Sequence, residues 1–164
     1  MVRATIRRGK PNLHGEIYKA RPDVKAVLYA RPPEVVAFTT GPLTLRPIVN
    51  GGGFLANGLP LVASPATGSA VVEALAKRAG VLLAGDGFVL TAGSIYDLVN
   101  RAYQLRMNAK IQQQAIALRA KVTYLEPLPG SPPPSNEPAA PARQLGPPEG
   151  RGWVYWSQNV TLEE

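Results

Sequence analysis

Proline distribution constrains this chain more than any other feature. Nine of its 17 prolines fall between residues 126 and 149, including the runs Pro132-Pro133-Pro134 and Pro147-Pro148. Proline lacks a backbone N–H and has a fixed φ, so such a stretch forms neither helix nor interior strand. It reads as an extended linker, with a passive spacer as the plain interpretation and an SH3-type ligand as the alternative. The fold is therefore expected in residues 1–125, followed by a linker over 126–149 and a tail over 150–164. The tail contains Trp153-Val154-Tyr155-Trp156, and with it both tryptophans of the chain. That much apolar surface is expected to dock on its own domain or on a neighbouring subunit.

Within the body, helix and strand signals alternate. Asn12 is a candidate cap for a helix running to Arg21, where Pro22 stops it. Val24–Tyr29 has the continuous apolar character of a buried strand. Pro32-Pro33 suits the first turn of a second helix. Gly51-Gly52-Gly53 marks a turn; it lacks the Lys-Ser/Thr of a P-loop and reads as a plain loop. Leu59–Ala63 is a short strand, and Gly68–Ala79 a helix with Gly80 just past its end. Val81–Ala84 and Phe88–Thr91 flank Gly85-Asp86-Gly87, a hairpin signal. Ser94, with Asp97 three residues on, opens the longest helix, Ile95–Arg119. Its apolar face is read as Ile95, Val99, Ala102, Leu105 (or Arg106), Ala109 and Ile116. The pattern is α/β or α+β with hairpins in the sheet.

Composition removes several chemistries. There is no cysteine, so disulfides, thiolate zinc sites and a cysteine nucleophile are excluded. A single histidine, His14, excludes a multi-histidine metal site within one chain. No run approaches the ~20 apolar residues of a membrane span, and the first residues lack a signal-peptide core, so no membrane contact and a cytoplasmic location are expected. Residues 1–31 hold eight basic and two acidic residues, against ten and nine in the rest, within a net charge of +7. A basic arm suggests a polyanion. It lacks interleaved aromatics and any nucleic-acid motif, so nucleic acid is not the expected partner.

Four ordered stretches resemble the class II aldolase/adducin family. His14-Gly-Glu-Ile17-Tyr18-Lys-Ala-Arg21-Pro22-Asp23-Val24 resembles its H-x-x-I-Y-x-x-R-P-D-V segment. Ala26-Val27-Leu28-Tyr29-Ala30-Arg31-Pro32-Pro33 resembles A-V-V-H-x-H-P-P. Val81-Leu82-Leu83-Ala84-Gly85-Asp86-Gly87 resembles L-L-R-G-H-G. Ser94–Leu118, with Asn108-Ala109 and Gln112–Gln114, resembles the helix that follows. This last helix and the aromatic tail look closest to the decarboxylase-like branch. The resemblance implies an α/β three-layer sandwich with a central mixed/antiparallel sheet flanked by helices. It also implies active sites between subunits, hence a homo-oligomer or a hetero-oligomer with a paralogue. It places His14 on a helix facing the core near the site, outside the metal ligands.

The departures from the family pattern decide the functional expectation. Active members hold a divalent metal through the histidines of H-x-H and G-H-G, and a glutamate four residues before the helix histidine moves protons. Carried over, these positions are Tyr29, Arg31, Asp86 and Lys10. The resemblance thus implies no zinc or other divalent cofactor here, because Arg31 has no lone pair and zinc wants neutral imidazoles. Only about ten residues precede the His14 helix, so either the domain is N-terminally shortened or the gene begins upstream; a shortened sheet would leave an edge for a partner subunit to cover. Two readings stay open. Asp86 pairs with Arg31 or Lys10 in a filled, inactive site: a pseudoenzyme or accessory subunit. Alternatively the site is a metal-free lyase, with Arg31 gripping the carboxylate of a small anionic molecule and Lys10, Tyr29 or Asp86 handling protons. An adducin-like interaction module is a weaker third idea.

Overall fold

The ten residues of two central strands are all buried, and their side chains divide between two cores. A computed structural model describes residues 13–118, 121–126 and 151–159. The elements are α1 (Leu13–Ala20), β1 (Ala26–Ala30), α2 (Pro33–Val36), β2 (Leu61–Val62), α3 (Gly68–Leu75), β3 (Gly80–Leu83), β4 (Gly87–Ala92), α4 (Ile95–Ala117) and α5 (Arg151–Gln158). The sheet order is β1-β4-β3-β2, antiparallel except for the β2–β3 pair. Strand side chains alternate between faces. Leu82, Phe88 and Leu90 therefore join a core with Val35, Phe38, Leu98, Leu105 and Ala109, under α2 and α4. Val81, Leu83 and Val89 join the other core, with Leu13, Ile17, Val71 and Leu75 from α1 and α3. The result is the expected three-layer α/β sandwich around a mixed sheet.

Several expected boundaries shift. The first strand is Ala26–Ala30 rather than Val24–Tyr29. The helix expected to reach Ala79 ends at Leu75. Ala76 leaves helical geometry with φ +42° and ψ −119°, and Arg21 donates to its carbonyl at 2.5 Å while also holding Asp23 at 2.7 and 2.5 Å. Gly80 is not a helix stop; it opens β3, where a Cβ would meet Val89 and Leu90 of the neighbouring strand. The candidate cap Asn12 lies outside the described residues.

Ser94 caps α4 as its sequence suggests, accepting from the Asp97 N–H at 3.1 Å. The buried face of α4 is different from the one expected. Ile95 is 51% exposed, and the face runs through Leu98, Leu105, Asn108, Ala109 and Gln112. Two fully buried amides replace apolar residues because an irregular segment packs there. The Asn108 side chain accepts from Ile48 N at 2.8 Å and donates to the Arg46 carbonyl at 2.6 Å. Gln112 accepts from Arg46 N at 3.1 Å and donates to the Thr44 carbonyl at 2.9 Å. Backbone groups outside helix or sheet need partners when buried, and these side chains supply them. Gly52 is required beside them: a Cβ there would stand 2.9 Å from Asn108 Oδ1.

The aromatic tail forms α5 and docks on α4 of its own chain. Trp153 meets Tyr96 edge to face, and Trp156 meets Tyr103 at a tilt, each with ring centroids 4.9 Å apart. Nearly all of the proline-rich stretch lies outside the described residues.

Candidate functional site

Strand register assembles the site. Ala30 pairs with Phe88, so the residue after β1, Arg31, comes level with the start of β4 and the turn before it. The approach is close enough that a Cβ on Gly87 would collide with the Ala30 carbonyl. Gly85 adopts φ +65°, the left-handed conformation glycine allows, and Asp86 N donates to Leu83 O at 3.0 Å. These constraints aim Asp86 back at the end of β1.

Three sequence-selected residues meet there. The Tyr29 hydroxyl donates to Asp86 Oδ1 at 2.7 Å. Arg31 Nε lies 2.8 Å from the same oxygen and donates to the Asp86 main-chain carbonyl at 3.2 Å. The cluster is half open to solvent: the Arg31 side chain is 61% exposed and that of Asp86 21%. The fourth candidate, Lys10, lies outside the described residues. His14, expected to face the core, is on the exposed side of α1; Leu13 and Ile17 take the inward positions.

Electrostatics limit what these groups can do. Burial first, then the hydrogen bond to Asp86 and its negative charge, push the Tyr29 phenol up to about 12, with Arg31 opposing. At neutral pH Tyr29 is therefore a proton-bearing donor, not a base. Arg31 is a permanent cation with no lone pair. Asp86 Oδ1 carries two donors, and charge-assisted contacts of this kind are the stronger hydrogen bonds. The assembly is a charge-compensated cluster whose exposed element is a guanidinium suited to anions.

Sequence reasoning missed two supports. Glu34, on α2 directly after the Arg31-Pro32-Pro33 turn, ion-pairs with Arg106 of α4, and Gln113 Nε2 donates to its carbonyl at 2.9 Å. Burial raises the Glu34 carboxyl, but the Arg106 hydrogen bond, a backbone hydrogen bond and nearby cations outweigh it and hold it below its ordinary value. Thr39, 4% exposed, reaches the turn from below, as its hydroxyl accepts from Gly85 N at 3.1 Å. Neither residue belongs to a motif, so only tertiary contact reveals them. An apolar cavity of about 190 Å³ near the end of α4, lined by Ala37, Phe38, Leu43, Gln113, Ile116 and Ala117, contains none of the candidate side chains. Among the described residues no helix is long and apolar enough to cross a membrane.

Residues 8–113 match the profile of the Class II Aldolase and Adducin N-terminal domain. The chain is 34% identical over 113 residues to a 3,4-dihydroxyphthalate decarboxylase of Arthrobacter keyseri, covering 62% of this chain and 46% of that one. It is 30% identical over 132 residues to the decarboxylase tropJ of Talaromyces stipitatus, covering 66% and 50%. It thus spans about half the length of these curated relatives. Among solved structures, an aldolase II superfamily protein from Pseudomonas syringae superposes with a TM-score of 0.67 at 20% identity, over 89% of this chain and 60% of that one. The motif match and the three-layer sandwich agree with the profile, and the chain belongs to the class II aldolase/adducin family, on its decarboxylase-like side.

Proposed function

We propose that this chain is a divergent family member whose metal site has been replaced by the Tyr29–Asp86–Arg31 cluster, and that it serves as a pseudoenzyme or as an accessory subunit beside an intact paralogue. The observation that carries this reading is the shared oxygen: Asp86 Oδ1 receives both the Tyr29 hydroxyl and Arg31 Nε. The donor set does not fit a divalent ion. Tetrahedral or octahedral cations need several oxygen or nitrogen lone pairs at 2.0–2.2 Å. Here a cation occupies one ligand position, a phenol kept protonated to about 12 another, and the carboxylate of the third already carries two donors. No step is assigned to a metal. Self-association, or association with a paralogue, and a cytoplasmic setting belong to the same proposal. Metal analysis of purified protein tests it: less than a tenth of an equivalent of zinc, manganese or iron is expected, and a stoichiometric ion overturns it.

The decarboxylase relatives favour a second reading, a metal-independent lyase acting on a small, aromatic carboxylic acid. Arg31, mostly exposed, would hold the carboxylate through its terminal nitrogens, and Lys10, Tyr29 or Asp86 would handle the proton that replaces carbon dioxide on the substrate carbon. Under this reading Arg31→Ala abolishes turnover; unchanged turnover removes it.

A further inference from the structure

We infer that Thr39 is the positioning residue of Asp86, fixing the Gly85-Asp86-Gly87 turn through a buried hydroxyl bridge. Thr39 closes the 3₁₀ turn Ala37–Thr39 that continues α2, and it is 46 residues away from Gly85. Its hydroxyl donates to Val36 O at 2.7 Å and accepts from Gly85 N at 3.1 Å. One small group thus satisfies a carbonyl at the end of a helix and an N–H of the turn. It does not touch the Asp86 carboxylate, so its action is indirect.

The mechanical argument is one of counter-clamps. On the other side, Gly87 lies against the Ala30 carbonyl, which fixes one end of the turn relative to β1, with Gly85 and Asp86 at its other corner. The Asp86 N–H already donates to Leu83 O, so the Gly85 N–H is the handle by which the layer under the sheet can hold that corner. A carboxylate accepting at 2.7 and 2.8 Å from two directions tolerates little displacement. Losing the hydroxyl frees the corner and lengthens both contacts. Valine at position 39 keeps the shape but offers Gly85 N–H nothing, whereas serine keeps the oxygen.

The inference rests on Asp86 as the centre of the site, and the readout is chosen to separate the two. Tyr29 reports Asp86 position, because part of its upward shift comes from that carboxylate. The titration of ring-labelled tyrosines is followed by NMR, with Tyr29→Phe identifying the signal and Asp86→Asn showing the shift produced by losing the charge. Thr39→Val is expected to lower the Tyr29 midpoint in the same direction as Asp86→Asn but by less, because the carboxylate is displaced rather than removed, while Thr39→Ser titrates like the native protein. A folded Thr39→Val that titrates like the native protein while Asp86→Asn falls overturns the inference and leaves the site reading intact. If Asp86→Asn itself leaves Tyr29 unmoved, the Tyr29–Asp86 contact is absent and both fail. Should the valine variant not fold, amide exchange in the native protein decides: a protected Gly85 N–H supports the bridge, and exchange at the rate of an open loop overturns it.

Discussion

Two polar clusters sit in this small domain, and they are built on opposite terms. On α4, Asn108 and Gln112 are uncharged and fully buried, and nearly all their partners are backbone groups of residues 44–49. At the end of β1, Tyr29, Arg31 and Asp86 are partly exposed, include two opposite charges, and bind one another largely through side chains. The first cluster substitutes for secondary structure: without it an irregular loop could not lie against the core. The second adds little to the fold; it balances opposite charges among its own members. Polar residues in a core thus mean different things according to whether their partners are main chain or side chain.

Removing the buried amide should have the largest effect. Asn108→Leu keeps the branched heavy-atom shape but strands Ile48 N–H and the Arg46 carbonyl, at roughly 1–3 kcal/mol each. A total of about 4 kcal/mol should lower the thermal midpoint by on the order of 10 °C; a smaller loss than at the charged cluster would break the comparison. Next comes Gly52→Ala, which must displace Asn108 Oδ1 or the Val49 carbonyl and should cost about 1–3 kcal/mol in chemical denaturation, as overpacking does.

The charged cluster should respond more weakly and with a pH signature. Tyr29→Phe removes one hydrogen bond to a carboxylate and should cost about 1–2 kcal/mol near neutrality. The unfolded phenol ionises near its ordinary 10.0, whereas the native one holds its proton to about 12. Stability from this group is therefore complete below pH 10 and lost as pH rises through 12. Alkaline denaturation should be steeper in the native protein than in Tyr29→Phe, and equal slopes would show that the phenol is not held. The smallest effect is expected for Arg31→Ala. With the side chain 61% exposed, its ion pair is worth at most about 1 kcal/mol and should fade with added salt.

The sequence exposed those parts of the fold that depend on local chemistry. Gly85-Asp86-Gly87 announces the hairpin because a left-handed residue is needed there, and Ser94 announces the start of α4 because its hydroxyl caps a helix. Residues at long range stayed hidden. The end of α3 is set by Arg21, 55 residues away from Ala76, and no local stop signal exists there. The face of α4 was misplaced at Ile95 because hydrophobic periodicity cannot count Asn108 and Gln112 as core. At the site, Tyr29, Arg31 and Asp86 were found only through the family motif; spacing alone would not have joined residues 55 and 57 positions apart. Thr39 and Glu34 stayed invisible, since a hydroxyl or carboxylate announces nothing until its partner arrives.

In the proposed reading, side-chain pairing has displaced metal binding at the end of β1. Calorimetric titration with zinc and with manganese tests it most directly, comparing the native protein with a variant carrying Tyr29→His, Arg31→His and Asp86→His together. The native protein should take up no ion at micromolar concentration, and the variant should gain a site of about one equivalent. One tightly bound ion per native chain, displaced by Asp86→Asn, would contradict the account.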